Sequence, residues 1–588
     1  MGRLLAGSTV TEARTEVAGI MARLEKDYPE DNKGRGATVV PLHEDLAGNL
    51  RPALRVLTGA VALLLVIACI NIANLLMARA SSRTREMAIR ASLGAGRARL
   101  TRQLLTESAL LALMGAALGI ALAYFGIRGL LAPAPPGMAL IGRTAIDWNT
   151  LAAAVGFASF AWLIFGVFPA VRSSGVFTAA ALKQSSKATA SKETLRLRNS
   201  LVVAQLAMTC VLVVSSGLLI RSFYRIQHVD LGYEPQGAVS LRFQLPETRY
   251  STPKFPAFAW PEGQAFLTRL KGAVSAIPGV EAASIAMAGP NRSTWTTRVS
   301  VIGRPLRPEQ ELEESQVRSG DPDYPRASGA KIVRGRFFDK TDTVRSPSVV
   351  VVNEAFVRRY FRTENPIGQS ISVFVPRQIV GVIGDIHYDG PTDTLTPTVY
   401  LATSQFALPE STLIVRSRTG GASTIQALRS VFRDLDPNIA PFDAAPLEST
   451  LAVNTARERF TLSLLTAFAI LALNLAIVGI YGVVAYSVGG RRKEIALRMV
   501  LGARPAEVFR QIASGMVLRA AGGILLGIIG AYVIGSRLLQ PLVFETSTND
   551  PATYVTVSAA LILAAFCGAA IPASRAARVN AASTLREE

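Results

Sequence analysis

Seven long stretches of this sequence contain no Asp, Glu, Lys or Arg: 56–77, 108–127, 149–171, 199–220, 460–490, 520–536 and 551–574. A helix needs roughly 20 residues to cross a hydrocarbon core of about 30 Å. Six stretches reach that length alone. The stretch 520–536 is short, but 511–518 before it is also uncharged and is interrupted only by Arg519, which extends the span to 512–536. Inside a bilayer every backbone amide must be satisfied within its own segment, so these stretches are expected to be helices. Buried helices of a soluble protein seldom run past roughly 18 residues without a charge.

The chain carries a net charge of +20, which raises the question of nucleic acid. The placement of the charge points elsewhere. Arg79, Arg83, Arg85, Arg90, Arg97, Arg99 and Arg102 lie between the first two spans. A second cluster, Arg172 to Arg198, lies between spans three and four, and a third, Arg491 to Arg510, follows span five. The stretch 222–457 is nearly balanced, with 26 basic and 23 acidic residues. Basic excess beside membrane ends marks the cytoplasmic side. This places the N-terminus outside, the C-terminus inside and 222–457 outside. No aromatic–basic motif argues for nucleic acid.

The 236 residues of 222–457 suffice for one core or two small ones. Helix-like and strand-like pieces alternate there, which indicates an α+β domain. Helices are expected at 266–276, 353–361 and 424–435, and strands at 280–288, 348–352, 370–375, 378–383 and 411–416. Residues 303–328, rich in Pro, Glu and Arg, read as a mobile loop. The domain contains no cysteine; Cys69, Cys210 and Cys567 all fall in spans, so no disulfide framework is expected.

Internal repetition sets the architecture. Residues 86–95 read EMAIRASLGA and 494–503 read EIALRMVLGA. Setting Glu86 on Glu494 and running to Leu131 on Leu539 gives 19 identities in 46 positions without a gap. The likeness resumes at Phe168–Arg172 and Ile571–Arg575. Upstream, 11–50 resembles 423–451: a helix, a Tyr-Pro or Asp-Pro, a short strand, then Pro-Leu before a span. Residues 1–50 therefore read as the tail of a first extracytoplasmic domain, loosely ordered or docked on 222–457. No N-terminal signal peptide is visible. The expected organisation is 1–50 as that remnant, 51–185 as a first membrane module, 186–221 as linker and span four, 222–457 as the large domain, and 458–588 as a second module.

Within each repeat, Glu86 and Arg90, or Glu494 and Arg498, stand four apart with the acid first, the favourable order for a helical pair. Gly94 and Gly502 sit where a helix needs a left-handed residue to stop. Each decapeptide thus reads as a helix–glycine–helix elbow on the cytoplasmic surface. The plainer reading is an interfacial helix that only anchors the spans. The spans after the elbows carry Gly115, Gly119 and Ala123, or Gly523, Gly527 and Ala531, at a spacing that lets helices pack closely. Asn71, Asn74, Gln205 and Asn474 are isolated polar groups in spans and suit interhelical hydrogen bonds. Apart from the border residue Arg519 the spans lack ionisable groups, against ion-coupled transport. No phosphate loop, zinc-protease, nucleophile-elbow or EF-hand motif is present, so no catalytic, cofactor-binding or metal-binding residue is assigned. His387, in GDIHYDG, reads as part of a turn.

These motifs resemble a known family. The doubled E-x-A-x-R-x-x-L-G-A elbow with its glycine-rich span resembles the FtsX-like permease module of ABC transporters. VVVVNEAFVRRYF (349–361), ENPIGQSI (364–371), IVGVIGDIHYDG (379–390), PGVEAAS (278–284) and RGRFF (334–338) resemble the MacB-type periplasmic core domain. The resemblance implies an α-helical integral membrane protein with an α+β extracytoplasmic domain and two FtsX-like modules. It looks like the long permease with two units, starting inside the first domain and so carrying seven spans rather than eight.

The resemblance implies a multi-pass permease of the bacterial inner membrane that transmits force rather than forming a channel. ATP would be hydrolysed by a separate ATP-binding subunit, with no cofactor bound by this chain. Glu86, Arg90, Gly94, Glu494, Arg498 and Gly502 would lie where that subunit docks. Other expected partners are membrane lipid, a second copy or the pseudo-dimer within the chain, and a periplasmic adaptor. A lipoprotein-releasing permease and a non-transporting FtsX-like signalling protein are the alternatives.

Overall fold

The computed structural model describes residues 2–32, 34, 36–42, 44, 51–82, 97–131, 148–162, 189–250, 260–304, 314–362, 364–490 and 492–577. The chain divides into two compact units, 1–45 with 226–457 and 46–225 with 458–588. The first helix, α1 (Val10–Asp27), opens with a capping box. The Glu12 N–H donates to the Thr9 hydroxyl at 3.2 Å, and the Thr9 N–H donates to the Glu12 carboxylate at 2.8 Å. None of its side chains is buried. Four helices of the other unit follow: α2 (Arg51–Ser82), α3 (Arg97–Leu131), α4 (Trp148–Trp162) and α5 (Thr189–Gln227).

The large domain is one mixed sheet dressed with helices. Its elements are β1 (Ala238–Gln244), α6 (Pro261–Ser275), β2 (Val280–Ala286), β3 (Ser315–Gly320), α7 (Tyr324–Ser328) and β4 (Ile332–Gly335). There follow β5 (Val349–Asn353), α8 (Glu354–Tyr360), β6 (Ser370–Val373), β7 (Val375–Ile383), β8 (Thr398–Ala402), β9 (Glu410–Ser417), α9 (Gly421–Leu435), β10 (Phe442–Pro446) and α10 (Leu447–Asn454). The strands run in the order β10-β1-β9-β2-β3-β8-β5-β7-β6, with β4 also paired to β7. The β3–β8 and β5–β7 pairs are parallel; the neighbouring β1–β9 and β9–β2 pairs are antiparallel.

Two cores explain why the alternating pattern was legible. Phe266 and Leu270 of α6 and Leu428 and Phe432 of α9 bury against Val239, Leu241 and Phe243 of β1. Phe356 and Tyr360 of α8 bury against Val350 and Val352 of β5 and Ile371 and Ile379 of β6 and β7. In both, apolar residues three or four apart on a helix meet alternate residues of a strand. Each fully buried Leu or Phe contributes roughly 1.5–3 kcal/mol.

The expected mobile loop at 303–328 is corrected for its second half; 305–313 lies outside the described residues. Ser315–Gly320 is an interior strand with all six residues buried, and Tyr324–Ser328 is a helix. The composition misled because its charged residues Arg318 and Asp321 find partners inside. Arg318 donates to the carbonyls of Arg292 at 2.8 Å, Ala288 at 3.2 Å and Gly289, with its guanidinium 3.9 Å from the Tyr388 ring centre. Asp321 accepts from the Ser284 hydroxyl at 2.8 Å and pairs with Lys271 at 2.6 Å. Burial raises the Asp321 carboxyl above the ordinary carboxylate range, with Lys271 pulling the other way.

The chain then enters α11 (Ala456–Gly490), α12 (Arg492–Val500), α13 (Pro505–Ile534) and α14 (Pro551–Ala577). Among the described residues six helical segments are long and apolar enough to cross a membrane: Arg51–Asn74, Ala112–Gly129, Arg198–Gln227, Glu458–Gly489, Pro505–Leu539 and Pro551–Ala577. The remaining expected span, 149–171, is described as the helix α4 only as far as Trp162. The membrane unit buries its core where α2, α5, α11, α13 and α14 converge, around Ile67, Leu218, Ala472, Ile524 and Leu561. A second layer, with Leu206, Ala476, Ile480, Met516 and Ala569, joins α5, α11, α13 and α14.

Candidate functional site

The second elbow is a rigid corner built from local chemistry. Arg498 donates to Glu494 Oε1 at 2.6 Å one turn earlier, and to Gln511 Oε1 at 3.1 Å on α13. Both members of the ion pair are about half exposed, so it contributes about 0.3–0.5 kcal/mol. The stop is a Schellman turn. Gly502 takes φ +99°, its N–H donates to the Met499 carbonyl at 3.2 Å, and the Ala503 N–H donates to the Arg498 carbonyl at 3.0 Å. The next helix starts at once, with Pro505 in its first turn and the Glu507 carboxylate accepting from the Arg504 N–H at 3.2 Å.

The corner has two faces. Ile495 and Ala496 are buried, and Ile495 packs with Val508 of α13 and Ala576 of α14. On the outer face Leu497, Val500 and Leu501 are 53, 59 and 77% exposed. Apolar side chains held outward on a rigid turn, next to a charged pair, form a surface able to grip a partner. Glu86, Arg90 and Gly94 of the first elbow lie outside the described residues.

The small-residue stripes have different surroundings. A Cβ on Gly523 would sit 2.8 Å from Leu206 Cβ and 2.9 Å from the Val203 carbonyl; one on Gly527 would sit 2.7 Å from the Ala207 carbonyl. Both glycines therefore admit the α5 backbone against α13, and Ala531 is buried beside them. Gly115, Gly119 and Ala123 of α3 are exposed, and a Cβ on either glycine would meet nothing within 4 Å.

Of the polar residues in spans, Asn71 and Gln205 do bridge helices. Their amide nitrogens donate to the same carbonyl, Leu475 of α11, at 2.8 and 2.9 Å. Asn474 instead donates to Ile470 of its own helix at 2.8 Å, which corrects the interhelical expectation for that residue. Asn74 is buried with neither amide atom bonded among the described residues. In the large domain the His387 backbone N–H donates to the Leu231 carbonyl at 3.1 Å and its ring Nδ1 lies 3.0 Å from the Asp393 carbonyl, which holds the turn. Burial pushes the Arg377 guanidinium down to about 10 in the same domain. Among the described residues no group of three or more His, Cys, Asp or Glu is placed to hold a metal ion.

Comparison with known proteins divides the chain in the same way. The family described as MacB-like periplasmic core domain matches residues 207–433. The family described as FtsX-like permease C-terminal matches twice, over 58–182 and 466–581. The pyoverdine export ATP-binding/permease protein PvdT of Pseudomonas syringae pv. syringae is 27% identical over 285 residues, covering 47% of this chain and 43% of the relative. The macrolide export ATP-binding/permease protein MacB of Bdellovibrio bacteriovorus is 28% identical over 292 residues, covering 47% and 44%. The chain thus spans under half the length of these curated relatives. The crystal structure of the periplasmic region of MacB from Actinobacillus actinomycetemcomitans aligns over 39% of this chain and 95% of that one, at 14% identity and a TM-score of 0.26.

Proposed function

Because this chain belongs to the MacB/FtsX-like permeases of ABC transporters, we propose that it is the force-transmitting permease subunit of an exporter. ATP is hydrolysed by a separate ATP-binding subunit that docks on the elbows. Closure of that subunit pushes on α12, the push tilts α11 and α13, and the large domain moves on the far side of the membrane. The observation that carries this reading is the second elbow. Leu497, Val500 and Leu501 are held outward by a turn whose inner face is locked against α13 and α14. Force applied there reaches the membrane helices without bending a loop.

The arginine clusters beside the spans support a bacterial inner-membrane topology with the elbows cytoplasmic and 226–457 extracytoplasmic. Cysteines introduced at Ser92 and Ser423 are expected to label from opposite sides in intact cells. Labelling of both from outside would overturn the topology.

The functional test uses membranes that contain the full chain with its ATP-binding subunit. Leu501→Glu puts a charge on the exposed tip and is expected to leave insertion normal while lowering stimulated ATPase activity at least tenfold. Unchanged activity would return the elbow to a membrane anchor.

A further inference from the structure

A second feature of the elbow region faces inward. A cleft of about 110 Å³ opens between α5, α11, α12 and α13. Its polar lining includes Arg198, Tyr486, Glu494, Arg498, Gln511 and Arg519. Three arginines thus share the cleft with one carboxylate, and Glu494 is already engaged by Arg498. Arg198 is the anomaly. It is 2% exposed, its guanidinium lies 3.6 Å from the Tyr486 ring centre, and its Nε and Nη1 have no hydrogen-bond partner among the described residues. A buried cation over an aromatic face recovers part of its lost hydration, but two of its donor nitrogens remain open. A buried guanidinium left in that state calls for a negatively charged acceptor.

We propose that this cleft binds the phosphate of an anionic phospholipid headgroup. Its position in the sequence of spans supports a lipid. Arg198 is the first residue of the apolar segment Arg198–Gln227, and Tyr486 stands near the end of Glu458–Gly489, so the cleft sits where two spans meet the membrane surface. Basic pockets between membrane helices at that level take lipid phosphates. Val483, Val484 and Ile512 wall the cleft with apolar surface. Arg498 belongs both to the cleft and to the elbow, so a bound headgroup braces α12 against α5. The inference rests on the membrane placement of α5 and α11 and is independent of the ATPase-docking reading.

The test is native mass spectrometry of the purified full chain with phosphatidylglycerol, phosphatidylcholine or inorganic phosphate, with thermal melting in parallel. The wild type is expected to retain one phosphatidylglycerol at least tenfold more tightly than phosphatidylcholine, and its melting temperature is expected to rise with the anionic lipid alone. Arg198→Gln removes the buried charge. It is expected to lose that preference and the lipid-dependent rise without lowering the melting temperature of the lipid-free chain. Arg498→Gln, at an exposed position, is expected to weaken binding about threefold, which keeps the test available if the first variant fails to fold. Equal phosphatidylglycerol retention by the wild type and the folded variants overturns the proposal. Displacement of the lipid by micromolar inorganic phosphate overturns the lipid assignment in favour of a free anion. Absence of any preference for the anionic lipid overturns it in favour of an acidic side chain from a protein partner.

Discussion

The helices α3 and α13 carry the same stripe of small residues at matching positions, yet the fold uses them differently. Gly523, Gly527 and Ala531 seat α13 on the backbone of α5. Gly115, Gly119 and Ala123, at the matching positions of α3, are exposed, and no helix packs on them among the described residues. The residue pattern is the same; the neighbour is not. A small-xxx-small stripe specifies that a helix can be approached closely, not that a helix arrives. The second repeat has α5 to arrive. The described core of this unit is accordingly built from α2, α5, α11, α13 and α14.

The sharpest break of this comparison is a bulky residue on each stripe. Gly527→Leu forces side-chain atoms into the Ala207 carbonyl and Cys210 and is expected to cost about 3 kcal/mol. Gly119→Leu is expected to change stability by less than about 0.5 kcal/mol. The fraction of protein that stays monodisperse after detergent extraction reads both. Equal damage from the two would mean that the α3 face is covered in the assembled protein.

A smaller effect is expected at the elbow turn. Gly502→Val places a β-branched residue at φ +99° and costs about 1–3 kcal/mol locally. Membrane insertion should persist while stimulated ATPase activity falls. Gly94→Val tests whether the first elbow turns in the same way, since it should then behave alike. An unaffected Gly94→Val chain would show that only the second elbow couples.

The smallest effect belongs to the polar node. Asn71→Leu and Gln205→Leu each remove a donor to the Leu475 carbonyl and are expected to cost about 0.6 kcal/mol apiece. Because they share an acceptor, each donor partly replaces the other, and the double variant should cost more than the sum. Asn474→Leu, which loses only a bond within its own helix, should cost less than either. A melting series in one detergent orders the three.

Local chemistry determined what could be read from the sequence. The spans follow from uncharged length, the elbow helix from acid-first pairing four apart, and the stop at Gly502 from the steric freedom that φ +99° demands. The strands expected at 348–352 and 378–383 and the helices expected at 353–361 and 424–435, found at 349–353, 375–383, 354–360 and 421–435, follow from β-branched runs and from apolar spacing of three to four. Each of these is decided by residues within a few positions of one another.

Tertiary structure decided the rest. Ser315–Gly320 became an interior strand because Arg318 found carbonyls at Ala288, Gly289 and Arg292, partners no local pattern announces. Asn71 and Gln205 meet one carbonyl from 404 and 270 residues away. Arg198 looks like one more arginine at the end of a span until the fold buries it against Tyr486 and leaves two of its donors open among the described residues. The stripe on α3 and the stripe on α13 are the plainest instance. Close packing is a property of two surfaces, and one strip of sequence describes only one of them.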